Sequence, residues 1–239
     1  MEIQHGRFYV VATPIGNLGD ITERARECLA GVDIVACEDT RHSGMLLQHL
    51  GLKKQLVSVH EHNEASRCGQ LVAELQQGRS VAYVSDAGMP GVSDPGQRLV
   101  NACLRAGIPV EVLPGPSAVT TALAGSGFPA DTFFFGGFLP VKSGQRERAL
   151  TNALGREETS VFFESPHRFD GSLEMLARLA PERRICVARE LTKKFEEYRR
   201  GTATEVRAHY AARPAKGEIC IVISGTGLPK WAQDPVERL

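Results

Sequence analysis

Five short apolar runs, at 8–12, 34–37, 56–59, 81–84 and 110–113, alternate in the first half of the chain with stretches of helical periodicity. Segments 23–30, 66–77 and 95–106 repeat their apolar residues at the 3.6-residue interval of a helix. A short strand followed by a helix, several times over, describes βα units. The runs are apolar throughout instead of alternating, as expected of parallel strands covered on both faces. The predicted class is therefore α/β, on a mostly parallel sheet.

The best internal boundary is VLPGPSA at 112–118, where two prolines around a glycine stop a strand and stiffen the crossing. Ser117 is placed to cap the helix that follows. Beyond it the pattern reads strand 132–138, basic helix 143–155, strand 160–163, helix 168–180, then strands 185–189 and 218–224. This spacing is less regular and predicts a mixed sheet. The expected division is an N-terminal α/β domain over 1–116 and a C-terminal α/β domain over 117–226. Residues 227–239 read as a linker or the start of a helical extension that is missing here.

Composition narrows the classes. No stretch approaches the roughly 20 apolar residues of a membrane span, and the start, MEIQHGRFYVVATP, lacks the pattern of an export signal. Six cysteines, at 28, 37, 68, 103, 186 and 220, are scattered without a CxxC pair, which points to a reducing cytoplasm with neither disulfides nor structural zinc. Net charge is zero, with 10 Lys/Arg against 13 Asp/Glu over 1–118 and 18 against 15 over 119–239. That gives no global nucleic-acid signal.

Ligands of open α/β sheets bind outside the carboxyl ends of the strands. The loops found there are TPIGNLGD (13–20), EDTRHSG (38–44), HEHNE (60–64) and SDAGMPGVSDPG (85–96). In the last, Asp86 stands at a strand end, where it can accept from hydroxyl or amino groups. Asp94 is expected to cap the next helix, with Pro95 in its first turn. The spacing of Gly16 and Gly19 is wrong for GxGxxG, and no lysine follows a glycine-rich turn, which weakens dehydrogenase and P-loop readings.

Seven ordered segments carry a resemblance: VATPIGNLGD (11–20), ACEDTR (36–41), SDAGMPGVSDPG (85–96), VLPGPSA (112–118), FFESPHR (162–168), ARELTKKFEE (188–197) and KGEICIVI (216–223). Together they resemble the tetrapyrrole methylase superfamily over about residues 7–225, and within it the branch that methylates ribosomal RNA. The resemblance implies two α/β domains with a cleft between them that holds S-adenosylmethionine. It also implies 2′-O-methylation of a cytidine in the decoding centre of 16S rRNA, within the small ribosomal subunit, by a cytoplasmic homodimer. Members of this branch usually continue into a small helical C-terminal domain. Met89 and Gly91 depart from the family pattern, standing where a threonine and a larger apolar residue are common.

Carried over by position, the implied cofactor residues are Pro14, Asp86, Ala87 and Met89, then Ser117 and Ala118. In the second half they are Glu164, Ser165, Leu191, Thr192, Lys216, Gly217 and Glu218. A ribose hydroxyl is a poor nucleophile, so a base or a cation at the developing alkoxide would assist transfer. Candidates are Glu190 with Lys193, Asp39 with Arg41, and His60 with His62. The plainer readings are an internal ion pair in a solvated turn, a helix-start carboxylate with a surface arginine, and loop packing. No third ligand near the histidines suggests a metal. Lys142, Arg146, Arg148, Lys193, Lys194, Arg199 and Arg200 are candidates for RNA phosphates, against a plain solvated face; Phe133–Phe135 read as strand core. The alternatives are methylation of a porphyrin or corrin precursor, and a non-catalytic RNA-binding module of the same fold.

Overall fold

Strands β1 (Phe8–Val11), β2 (Ile34–Cys37), β3 (Gln55–Ser58), β4 (Val81–Val84) and β5 (Val110–Leu113) form one sheet in the order β3-β2-β4-β1-β5, in a computed structural model that describes residues 1–60 and 62–229. All its pairings are parallel. Helices α1 (Glu23–Gly31), α2 (Thr40–His49), α3 (Glu64–Gln76) and α4 (Gln97–Arg105) join them. The sheet belongs to a compact unit, Met1–Ser117, and a second unit begins at Ala118.

Two cores explain the unbroken apolar runs. Phe8, Val10, Ile34, Ala36, Val81 and Tyr83 pack with Leu71, Leu75, Leu99 and Cys103 of α3 and α4. Their neighbours Tyr9, Val11, Val35, Cys37, Ala82 and Val84 pack with Ala25, Cys28, Leu29 and Leu47 of α1 and α2. Successive strand residues face opposite sides, so both faces need apolar cover. Because α1 and α2 cover one face and α3 and α4 the other, β4 sends its chain to the opposite side from its neighbours β1 and β2. That is the switch point where α/β sheets hold ligands.

The second unit has β6 (Phe133–Phe138), β7 (Thr159–Glu164), β8 (Arg184–Arg189), β9 (Glu197–Thr202) and β10 (Ile219–Ile223), ordered β6-β7-β10-β8-β9. Only β6 and β7 pair in parallel, so the sheet is mixed. Its helices are α5 (Ala118–Ser126), α6 (Ser143–Leu154), α7 (Pro166–Leu179) and α8 (Ala203–Ala212). Elements α2, β9 and α8 are additions to the sequence reading. Of the final stretch, residues 230–239 lie outside the described residues. Among the described residues, no helix is long and apolar enough to cross a membrane.

One expected cap is corrected. Asp94 does not cap α4, which begins at Gln97 with Gly96 as its N-cap residue. Ser93 and Gly96 take positive φ, 61° and 123°, and break the helix that Pro95 was expected to open. A Cβ at Gly96 would lie 2.5 Å from the Tyr83 ring, so only glycine fits there. The buried carboxylate of Glu64, from the start of α3, takes over the cap. Its Oε1 accepts from Gly96 N at 3.1 Å and Arg98 N at 3.2 Å.

Candidate active site

In the first unit the strand-end loops are tied to one another. Thr13 and Gly88 exchange backbone hydrogen bonds, Thr13 N to Gly88 O at 2.9 Å and Gly88 N to Thr13 O at 3.1 Å. Thr13 Oγ1 donates to Ser85 O at 3.2 Å. Asp86 Oδ1 accepts from Asp39 N at 3.2 Å, which joins the loop after β4 to the start of α2. The Tyr83 hydroxyl donates to Val59 O at 3.3 Å and brings in the segment after β3. Pro14 is buried at the end of this lattice, while Asp86, Ala87 and Met89 are half-buried. Met89 leans on the apolar core.

The carboxylates at this edge divide by environment. Asp39 caps α2, accepting from Arg41 N at 2.8 Å, and pairs with the Arg41 guanidinium at 2.7 Å. Those bonds from Arg41 hold its pKa at about 2. Asp39 is thus a fixed anion and helix cap, unsuited to taking a proton at neutral pH, and Arg41 is almost fully exposed. Glu38 and Asp94 behave oppositely. Burial, then the nearby Asp86 carboxylate, raises Glu38. Burial and the charge of Glu38 push Asp94 up to about 6. A carboxyl raised toward neutrality, as Asp94 is, is better suited to accept a proton. Neither was read from sequence as a proton acceptor, because their shifts arise from burial and from neighbours on different loops.

The raised Asp94 has a measurable consequence. Between pH ~4 and 6 the folded chain keeps a proton that an unfolded aspartate has lost, so stability falls as pH rises through that window. Asp94→Asn should therefore stabilise the chain at pH 7.5 by on the order of 1 kcal/mol, allowing for solvent screening of this half-buried group. At pH 4 the gain should vanish. Thermal unfolding at the two pH values checks this; an equal gain at both would refute it.

In the second unit, β8 ends in a knot of charged side chains. Glu190 Oε1 accepts from Glu218 N at 3.0 Å and from Lys193 Nζ at 3.1 Å. Lys193 Nζ also reaches Glu218 Oε2 at 3.0 Å. Burial opposes charge on both groups, but these bonds outweigh it: Glu190 is lowered and Lys193 raised. The pair stays ionised, so Lys193 can offer a fixed cation to a developing oxyanion. Glu190 and Thr192 have φ of 50° and 64°, unusual for residues with a Cβ and most of all for a β-branched one. Thr192 Oγ1 is buried without a hydrogen-bond partner among the described residues. Leu191 is buried, while Lys216, Gly217 and Glu218 are exposed just before β10.

The remaining candidates fall in varied places. Ser117 ends the first unit and Ala118 opens α5. Ser165 caps α7, its hydroxyl accepting from His167 N. The Glu164 side chain is fully buried and pairs with Arg168 at 2.8 Å, leaving backbone as its contribution to a ligand. His60 and His62 stack edge-on at 6.0 Å in the turn entering α3. Lys142, Arg148 and Lys194 are exposed. Arg146 instead turns back on Pro140 O and Val141 O at 3.4 Å. Arg200 donates to Gly125 O and Ser126 O at the end of α5, so it fastens that helix and is not a free cation.

Comparison with known proteins agrees with this architecture. A family model described as Tetrapyrrole (Corrin/Porphyrin) Methylases matches residues 7–207. The ribosomal RNA small subunit methyltransferase I of Mesorhizobium japonicum is 52% identical over 217 residues, covering 90% of this chain and 74% of that protein. The Synechocystis sp. protein of the same name is 48% identical over 221 residues, 92% of this chain and 79% of its own. Among solved structures, uroporphyrin-III-C-methyltransferase from Thermus thermophilus superposes with a TM-score of 0.65 at 26% identity, covering 94% of this chain and all of that one.

Proposed function

The chain belongs to the tetrapyrrole methylase family and is a methyltransferase, and from that premise we propose that it methylates the ribose 2′-hydroxyl of a cytidine in the decoding centre of 16S rRNA, with S-adenosylmethionine as donor. The observation that carries this reading is the 44–52% identity, over about nine-tenths of the chain, to proteins named as small-subunit rRNA methyltransferases. The nearer similarity to those proteins than to the tetrapyrrole enzyme at 26% favours RNA as acceptor. The proposed form is a cytoplasmic homodimer acting on the small ribosomal subunit.

The residues present fit that donor. Its sulfonium and ammonium charges suit the acidic strand ends of the first unit, where Glu38, Asp86 and Asp94 gather. Asp86, with Oδ1 held by Asp39 N, presents its other oxygen to a hydroxyl or amino group. Pro14, Ala87 and Met89 shape the same edge; Ser117 and Ala118 add backbone. In the second unit the orphaned Thr192 Oγ1 is a polar atom in want of a partner. Leu191, Ser165, the backbone of Glu164 and the segment Lys216–Gly217–Glu218 are the proposed contacts there.

When bound, S-adenosylmethionine supplies a methyl group on a good leaving group. The chain's task is to hold the acceptor oxygen in line at near-attack distance. Lys193, oriented by Glu190 and Glu218, is the proposed stabiliser of charge on that oxygen; Glu190 positions it.

Asp86→Ala should weaken S-adenosylmethionine binding about tenfold in a calorimetric titration, the loss of one charge-assisted bond; unchanged affinity would remove Asp86 from the site. Methyl transfer to purified small subunits, naked 16S rRNA and a tetrapyrrole precursor, run in parallel, tests the acceptor. Labelling of the tetrapyrrole alone would overturn the rRNA reading. A wild-type chain that binds no S-adenosylmethionine would leave the non-catalytic RNA-binding alternative.

A further inference from the structure

Beside the Glu190–Lys193 pair lies a pocket of about 250 Å³, lined by Arg189, Glu190, Phe195, Pro214, Lys216 and Gly217. Its composition is unusual for a surface hollow. Phe195 is a large apolar side chain left 64% exposed. The Lys194 ammonium sits 5.6 Å from the centre of that ring. The Lys216 side chain is exposed at the rim, and Arg189 is held in place by Glu197 at 2.6 Å and by Lys216 O at 3.3 Å.

We propose that this pocket receives one unpaired base of the substrate RNA, stacked on Phe195, with Lys194 on the adjoining phosphate. The proposal rests on the rRNA reading above and adds a binding element to it. Three features carry it. An exposed ring beside cations is the arrangement that binds single-stranded RNA, where bases stack on aromatic faces while lysines track the backbone. Pro214 supplies an apolar surface in the same hollow. The volume falls below the ~300–1,000 Å³ of pockets that enclose whole drug-sized ligands, which suits one flat base better than an entire cofactor. A base seated here lies next to Glu190, so stacking would also help bring the strand to the charged pair.

Phe195 is exposed, so replacing it should leave the fold intact. The full-length chain and its Phe195→Ala and Phe195→Trp variants would be compared in three measurements: binding of a short single-stranded RNA by fluorescence anisotropy, methyl transfer to rRNA, and calorimetric titration with S-adenosylmethionine. Phe195→Ala should bind the RNA about tenfold more weakly and raise KM for rRNA with kcat largely kept. Phe195→Trp should restore binding, and the cofactor titration should be unchanged in both. RNA affinity equal to wild type in Phe195→Ala overturns the proposal. So does a matching loss of S-adenosylmethionine affinity, which would make this a cofactor pocket. A wild-type chain that neither binds RNA nor methylates rRNA defeats the rRNA reading itself, and this pocket's role with it.

Discussion

Glu64→Ala is expected to destabilise the first unit by about 3 kcal/mol. The buried carboxylate accepts from two backbone donors at the start of α4, Gly96 N and Arg98 N, with Arg98 Nε 3.9 Å from its other oxygen. Hydrogen bonds to a charged group contribute about 1.5–3 kcal/mol each, and a buried donor left without a partner adds its own desolvation cost. Alanine removes both bonds at once. The midpoint of thermal unfolding should fall by roughly 10 °C or more. Glu64→Gln keeps one accepting oxygen and should lose about half as much. The same change should loosen the 85–96 loop that carries Asp86, so cofactor affinity should fall in step. A melting temperature within 2 °C of wild type, taken as a roughly negligible shift for a chain of this size, would show that Glu64 is not the cap.

The second large effect concerns turnover. Gly217→Ala is expected to reduce methyl transfer by about 10²-fold, the loss typical of displacing a catalytic group by about 1 Å. Gly217 has φ of 84°, where a side chain is strained, and a Cβ there would overlap the Glu190 carboxylate. Glu190 would have to withdraw from Glu218 N and release its hold on Lys193. Because residue 217 is exposed, the fold should survive, with unfolding shifted far less than turnover. Wild-type activity in this variant would show that the Glu190–Lys193 geometry has no part in transfer.

Both arguments depend on contacts that a linear sequence hides. Strands β2 and β4 were legible to the residue because burial on both faces makes them apolar throughout. Edge strand β9, EYRRGT, was not. Its side chains serve polar partners: Glu197 binds Arg189, His209 and Tyr210, and Tyr198 and Arg200 grip α5. No apolar alternation remains to be read. Helix α8 did announce itself, through the capping box of Thr202 and Glu205, and attention to that signal would have found it. The start of α4 misled for the opposite reason. Asp94-Pro95 is a good local start signal, yet the carboxylate of Glu64, 32 residues before Gly96, supplies the cap. The ordered motifs located the strand-end loops, but which of their carboxyls are raised above the ordinary range depends on burial and on the spacing of charges across the sheet edge.

Strand β1 is made first and paired last. Phe8 lies opposite Val81 on one side and Val110 on the other, so this interior strand of the first sheet has no partner until much later chain has been synthesised. Closing such long loops is slow and is rewarded only at the end, which places this unit among slow-folding topologies. Its outermost pairing, β1 with β5, finishes at Leu113, four residues short of the boundary at Ser117. As the chain leaves the ribosome, β1 therefore spends most of the first unit's synthesis as an apolar segment with both edges open, the interval in which a chaperone's grip would matter most.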